Sequence, residues 1–228
     1  MAVKLQSTSN ITSNQGVKVV VYGGAGSGKT VLCSTAPRPI ILSAEAGLLS
    51  LRKFTLPYIT ISNYKDLEEA YLWVMKSNES KQFDTICLDS LSEIAEVVLT
   101  DLKAKTKDPR KAYGEVQDQV LSLLRDFRDM PQKHVYFSAK QEKIKDDTTG
   151  AFMYGPMMPG TKLPQQVPYF FDEIFQLFVH TDPATKEEIR ALRTKKDYQY
   201  EAKDRSGTLD LWEPPNLDHI FKKIMQST

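Results

Sequence analysis

With 228 residues, the chain suits one α/β domain with a sizeable core and would be cramped as two. Its 30 Lys and Arg against 29 Asp and Glu leave it near neutral, which excludes a protein that coats nucleic acid through a large basic excess and confines any such binding to one local surface. The two cysteines, Cys33 and Cys87, sit in apolar stretches without a CxxC or Cys/His cluster, so a disulfide framework and a zinc site are excluded as well.

Residues 1–16 read as a polar flexible leader, rich in Ser, Thr and Asn and without the apolar core of a signal peptide. No apolar run is long enough to span a bilayer, so the expected setting is a reducing cytoplasm with no membrane partner. Residues 17–228 read as a single domain. The β-branched run 17–22 predicts a buried strand, followed by a Gly-rich turn and a short helix from Lys29 that must stop before Pro37. Strands are expected at 39–43 and 58–62. A helix should then start at Ser62 or Asn63 and carry Leu67, Ala70, Tyr71 and Val74 on one face.

The next strand, 85–88, ends in Asp89 and Ser90 and precedes a helix marked by Ile94, Val97, Val98 and Leu102. After a charged break at 103–110 comes a helix with Val116, Val120, Leu124 and Phe127, then a strand at 134–137. Strands alternating with helices predict a mostly parallel sheet covered on both faces. The stretch 139–164 has no periodicity and reads as a long functional loop. Short strands joined by turns are expected at 172–180, 189–194 and 198–203.

Gly23, Gly24, Ala25, Gly26, Ser27, Gly28, Lys29 and Thr30 fit G-x-x-x-x-G-K-[ST], directly after a strand and opening a helix. Glycines in such a loop let backbone N–H groups cradle phosphate oxygens, and the helix N-terminus continuing into Val31 adds positive potential. Lys29 would reach the β- and γ-phosphates of ATP, and the Thr30 hydroxyl would ligate Mg²⁺. Asp89 stands where a strand-tip carboxylate can serve the same metal, its alternative being a plain helix N-cap. The position after it is Ser90, not Glu, so the base that activates water must come from elsewhere. Glu45, just past the second strand, is the candidate, against Glu93 or no base at all.

A P-loop, then an apolar strand ending in Ala-Glu ("IILSAEAGL"), then one ending in Asp-Ser ("TICLDSLSEI") resembles the motif order of RecA-superfamily ATPases. "HVYFSAKQEK" is similar to their strand that ends in a γ-phosphate sensor and opens a DNA-binding loop, making Lys140 or Gln141 the sensor. "YGGAGSGKT" and "AKDRSG" are most similar to phage RecA-like single-strand annealing proteins. The resemblance implies a RecA-like core with an antiparallel C-terminal extension and ATP hydrolysis with Mg²⁺. It implies a homo-oligomeric ring or filament that binds single-stranded DNA in the cytoplasm of a bacterial host, with a single-strand-binding protein as a further partner. It implies annealing or recombination as the task, although no counterpart of the full recombinase's first DNA-binding loop is present.

Lys203 and Arg205 are similar to the Lys-x-Arg-x-Gly element of hexameric RecA-type helicases, whose cations reach the neighbouring subunit's ATP. In the 139–164 stretch, Lys140, Lys143, Lys145 and Lys162 with Phe152 and Tyr154 form the mix of charge and flat rings that single strands favour, the alternative being a loop whose lysines only keep it soluble. Two rival functions remain: a regulatory or assembly ATPase acting on proteins, and a small-molecule kinase, whose lid would need arginines that this stretch almost lacks.

Overall fold

The computed structural model describes residues 16–226 except 46, 107, 146–149 and 161; the expected leader falls almost wholly outside the described residues. In chain order the elements are β1 (Lys18–Gly23), α1 (Lys29–Leu32), β2 (Pro39–Ser43), β3 (Tyr58–Thr60), α2 (Tyr64–Lys76), β4 (Thr85–Asp89), α3 (Leu91–Lys105), α4 (Pro109–Arg128) and β5 (His134–Lys145). They continue with β6 (Phe152–Pro156), α5 (Leu163–Gln166), β7 (Glu173–Thr181), β8 (Glu188–Arg193), β9 (Lys203–Asp204), β10 (Trp212–Glu213) and α6 (Leu217–Met225). One sheet runs β10-β8-β7-β1-β5-β4-β2-β3, with β6 added to β5 and β9 to β7. The strands from β7 to β3 in that order are parallel, while β6, β8, β9 and β10 pair antiparallel. The fold is therefore α/β, with a mostly parallel central sheet and an antiparallel C-terminal extension.

Period-two alternation sends successive side chains of the central strands to opposite faces, so each strand must be apolar throughout. Val20, Tyr22, Ile86, Leu88, Val135 and Phe137 meet α2, α3 and α4 on one face. Val19, Val21, Cys87, Tyr136 and Phe175 meet α1 and α6 on the other. Helices start where short polar side chains can satisfy free N–H groups: Asn63 caps α2 by accepting from the Asp66 N–H at 3.0 Å, and Ser90 caps α3. Residue Gly23 ends β1 against a tight neighbour, since a Cβ there would lie 2.8 Å from Ser27 Oγ and 3.1 Å from the Leu177 carbonyl oxygen.

Three sequence expectations need correction, and one element was not expected. The loop expected at 139–164 is in large part a β-hairpin: β5 continues to Lys145, and β6 pairs back on it from Gln141↔Pro156 to Lys145↔Phe152. The charged break at 103–110 is narrower, because α3 extends through Lys105 and α4 begins at Pro109. Only Lys203 of the strand expected at 198–203 is in a strand, and Tyr198 is exposed. The C-terminal helix α6 had no counterpart in the expectations; it buries Leu217, Ile220 and Phe221, with the Phe221 ring stacked on His134 at 4.3 Å.

Candidate nucleotide-binding site

The Gly23–Thr30 segment leaves β1 at the carboxyl edge of the sheet and turns into α1. Gly26 and Gly28 take φ of +73° and +106°, a left-handed backbone that side chains rarely adopt, and a Cβ on Gly28 would sit 3.8 Å from Arg190 Nε. Tyr136, rising from β5 below, donates its hydroxyl to the Lys29 carbonyl at 2.7 Å and supports the first turn of α1. The Lys29 ammonium curls back onto the loop, donating to the carbonyls of Gly23 at 2.9 Å and Gly24 at 2.8 Å. Burial lowers its pKa, and the negative charges of Glu45 and Asp89 oppose that shift.

The Asp89 carboxylate, buried at the tip of β4, accepts from the Thr30 hydroxyl at 2.9 Å and from the Ser138 hydroxyl. Desolvation raises its pKa, while these two hydrogen bonds pull it down. Its peptide bond to Ser90 is cis. The Asp89 carbonyl accepts from the Ala44 N–H at 2.9 Å and the Glu45 N–H at 3.4 Å, which ties the end of β2 to the end of β4. The Ser90 hydroxyl donates to Glu45 Oε1 at 2.6 Å, so Ser90 both caps a helix and orients the neighbouring carboxylate.

Glu45 lines a cavity of about 740 Å³ together with the whole Gly23–Val31 loop, Lys140, Gln141, Met157, Leu177, Arg190 and Pro215, and Asp89 stands behind its wall, bonded to Thr30. Thr30 and Asp89 offer a hydroxyl and a carboxylate side by side, the hard oxygen donors that suit Mg²⁺ when phosphate oxygens complete the shell. Among the described residues no group of three or more His, Cys, Asp or Glu could hold a metal without such help. Glu45 faces the cavity, whereas Glu93 forms an ion pair with Lys140 and does not line it. Lys140 and Gln141 also line the cavity, and Gln141 Oε1 is buried without a hydrogen-bond partner.

The sequence-expected cations divide. Lys203 and Arg205 lie away from this cavity, around the start of β7, where Glu173 pairs with Val19 and Asp204 with Glu173. Lys203 Nζ donates to the Pro168 carbonyl at 2.7 Å, and Arg205 pairs with Asp172 at 2.6 Å. Lys140, also of the proposed DNA set, pairs its side chain with Glu93 and donates its backbone N–H to Ser92 Oγ at 2.9 Å. Tyr154 is half-buried and stacked on Tyr200 at 5.4 Å, while Lys143, Lys145, Phe152 and Lys162 are on the surface. Arg190 carries no mark in the sequence, because only the β7–β8 register brings it to the loop.

Beside Arg205 sits a titratable group with its own consequence. Burial, reinforced by the nearby Asp204 charge, pushes the Glu173 carboxyl up to about 8, against the favourable Ser206 N–H. An unfolded Glu titrates near 4.5, so the folded chain binds the extra proton between these values and stability falls as pH rises through that window. Glu173→Gln is expected to flatten this dependence. The variant should exceed the native chain in thermal stability near pH 9 by on the order of 3 kcal/mol, with the gap closing toward pH 5. Parallel melting curves for the two chains at every pH would remove Glu173 as the source.

A protein-family model described as an AAA domain matches residues 15–206. No curated protein matches the chain. Among solved structures it is similar to a KaiC-like protein from the hyperthermophilic archaeon Pyrococcus horikoshii OT3, with 12% identity over 78% of this chain and 77% of that one and a TM-score of 0.42. It is also similar to an ATPase from the type III secretion system of pathogenic bacteria, with 16% identity over 72% of this chain and 52% of that one and a TM-score of 0.49. No helix among the described residues is long and apolar enough to cross a membrane.

Proposed function

Given that the chain belongs to the AAA domain family and is a P-loop ATPase, we propose that it hydrolyses ATP with Mg²⁺ between subunits of a homo-oligomer and uses the cycle to bind and anneal single-stranded DNA. The observation that carries the catalytic half is the meeting of Thr30 and Asp89 at 2.9 Å beside the phosphate loop, with Glu45 on the adjoining strand end. In this reading backbone N–H groups of Gly24 to Thr30 hold the polyphosphate and Lys29 leaves the loop carbonyls for its terminal oxygens. Thr30 and Asp89 hold the metal, which when bound neutralises the charge developing on the phosphates. Ser90 donates to one oxygen of Glu45, leaving the other to take the proton of the attacking water. Gln141, through its side-chain amide N–H, and Lys140, both lining the cavity, are the candidates that sense the terminal phosphate.

Lys203 and Arg205 are proposed to act on a neighbouring subunit's nucleotide. Their distance from the chain's own cavity supports that reading. The DNA half rests on the hairpin and its surroundings. Lys143 lies over the Phe152 ring at 4.2 Å, and that ring is 54% exposed. Lys145, Lys196 and Lys203 line a second cavity of about 370 Å³ with Tyr154 and Tyr169, whose side chain is 81% exposed. Cations next to open rings suit a strand whose phosphates need charge and whose bases need a flat surface. The phage setting, a bacterial cytoplasm and a single-strand-binding protein partner follow from the same proposal.

The deciding experiment measures ATP turnover against protein concentration, with and without single-stranded DNA. Specific activity should rise with concentration, as composite sites form, and rise further with DNA. Concentration dependence without any DNA effect or binding would instead favour an assembly ATPase acting on protein partners. For the DNA surface, Lys143→Ala with Lys145→Ala should lower the slope of log affinity against log salt by up to about 1.4, at about 0.7 for each phosphate that a lysine no longer neutralises. An unchanged slope would move the DNA site off the hairpin.

A further inference from the structure

The nucleotide cavity is built from both sides of β1. Glu45, Lys140 and Gln141 come from the β2 and β5 side, with Asp89 of β4 bonded to Thr30, whereas Leu177 comes from β7, Arg190 from β8 and Pro215 from the segment after β10. Strand β7 runs past the end of β1, from Gln176 opposite Tyr22 to Thr181. Antiparallel β8 places Arg190 opposite Val179, above the phosphate loop. There Arg190 Nε donates to the Ser27 carbonyl at 3.1 Å, and Nη2 pairs with Glu188 at 2.5 Å.

Those two contacts occupy edge donors of the guanidinium and fix its plane. Phosphates would need the edges; a ring needs only a face, and an arginine plane is weakly hydrated and stacks well on aromatic rings. Beyond the loop itself, the groups of this chain proposed to act at its own terminal phosphate, Glu45, Asp89, Lys140 and Gln141, stand on the β4 side of β1, so the terminal phosphate of a bound nucleotide points there and its nucleoside points toward β7 and β8. We propose that Arg190 receives the base of the nucleotide, packing its guanidinium face against the ring, in the cavity that Leu177 and Pro215 also line. This deepens the P-loop reading and rests on it.

The test is calorimetric titration of ATP, ADP and inorganic tripolyphosphate, with Mg²⁺, into native protein and variants. Arg190→Ala should weaken ATP and ADP alike by about 5- to 30-fold, the worth of a desolvated cation–ring contact, and leave tripolyphosphate affinity as in the native chain. In turnover the loss should fall on KM and not on kcat. Arg190→Lys, which keeps the charge without the plane and is the gentler change for folding, should show the same pattern. Three results would overturn the assignment: tripolyphosphate weakened as much as ATP, which would make Arg190 a brace of the loop or a phosphate ligand; kcat lowered with ADP affinity intact, which would place it at the terminal phosphate; or no change at all. Failure of the native chain to bind any of the three would instead sink the P-loop reading itself, a separate outcome.

Discussion

Lys29→Ala is expected to remove measurable ATP binding and turnover. The phosphate loop is otherwise made of backbone and small side chains, and Lys29 is the cation it carries. Its ammonium is already partly stripped of water and held by the Gly23 and Gly24 carbonyls, so exchanging two neutral acceptors for phosphate oxygens requires little reorganisation. Truncating a charged group in such a desolvated place costs about 3–5 kcal/mol, which corresponds to a loss of roughly 10²- to 10⁴-fold in affinity. Titration calorimetry with ATP and Mg²⁺ reads it directly. Native-like affinity or turnover in the variant would remove the phosphate loop from the mechanism.

Glu45→Gln should separate binding from chemistry. The backbone at Glu45 is fixed by the Asp89 carbonyl and by the Ser43 hydroxyl, which donates to the Glu45 carbonyl at 2.8 Å. A Gln carbonyl can accept the Ser90 hydroxyl where Glu45 Oε1 now does, so the cavity keeps its shape. What disappears is the proton acceptor. Single-turnover rates should fall by about 10²- to 10⁴-fold, the usual contribution of a positioned base, while ATP affinity stays native. Turnover at the native rate would assign the base elsewhere; Glu93, already engaged by Lys140, would then have to be released first.

Much of the fold was legible because the central strands are buried on both faces and must be written in Val, Ile, Leu and Cys. β2 matches its expected bounds, and the expected spans of β1 and β4 are off by a residue at most. The phosphate loop was legible because its glycines and Lys29 are dictated by local backbone geometry. The outer half of β5 was not, since Gln141, Glu142, Lys143 and Lys145 lack strand propensity and their pairing with β6 is a property of the partner, not of the segment. Helix α6 could have been read from Leu217, Ile220, Phe221 and Ile224 at helical spacing behind the Asn216 cap, a pattern hidden by its shortness. Arg190 could not: nothing local marks it, and a shift of one residue in the β7–β8 register would turn it to the opposite face. The Ser90–Glu45 contact likewise depends on two distant strand ends meeting.

Strand β5 is one unbroken rod. Its inner half lies between β1 and β4 under the nucleotide cavity, its middle carries Lys140 and Gln141 into the cavity wall, and its outer half stands clear of the parallel sheet with β6 alongside. The span from Lys140 to Lys145 is about 17 Å at ~3.3 Å per residue. Rotating such an arm by roughly 10° about its buried root carries its tip by about 3 Å, close to the size of a hydrogen bond. Tyr154 ties that arm down through the Gln199 carbonyl, the Glu201 N–H and the Tyr22 hydroxyl, so a turn at the root reaches the tip only if these bonds yield or the 199–201 segment travels with the hairpin.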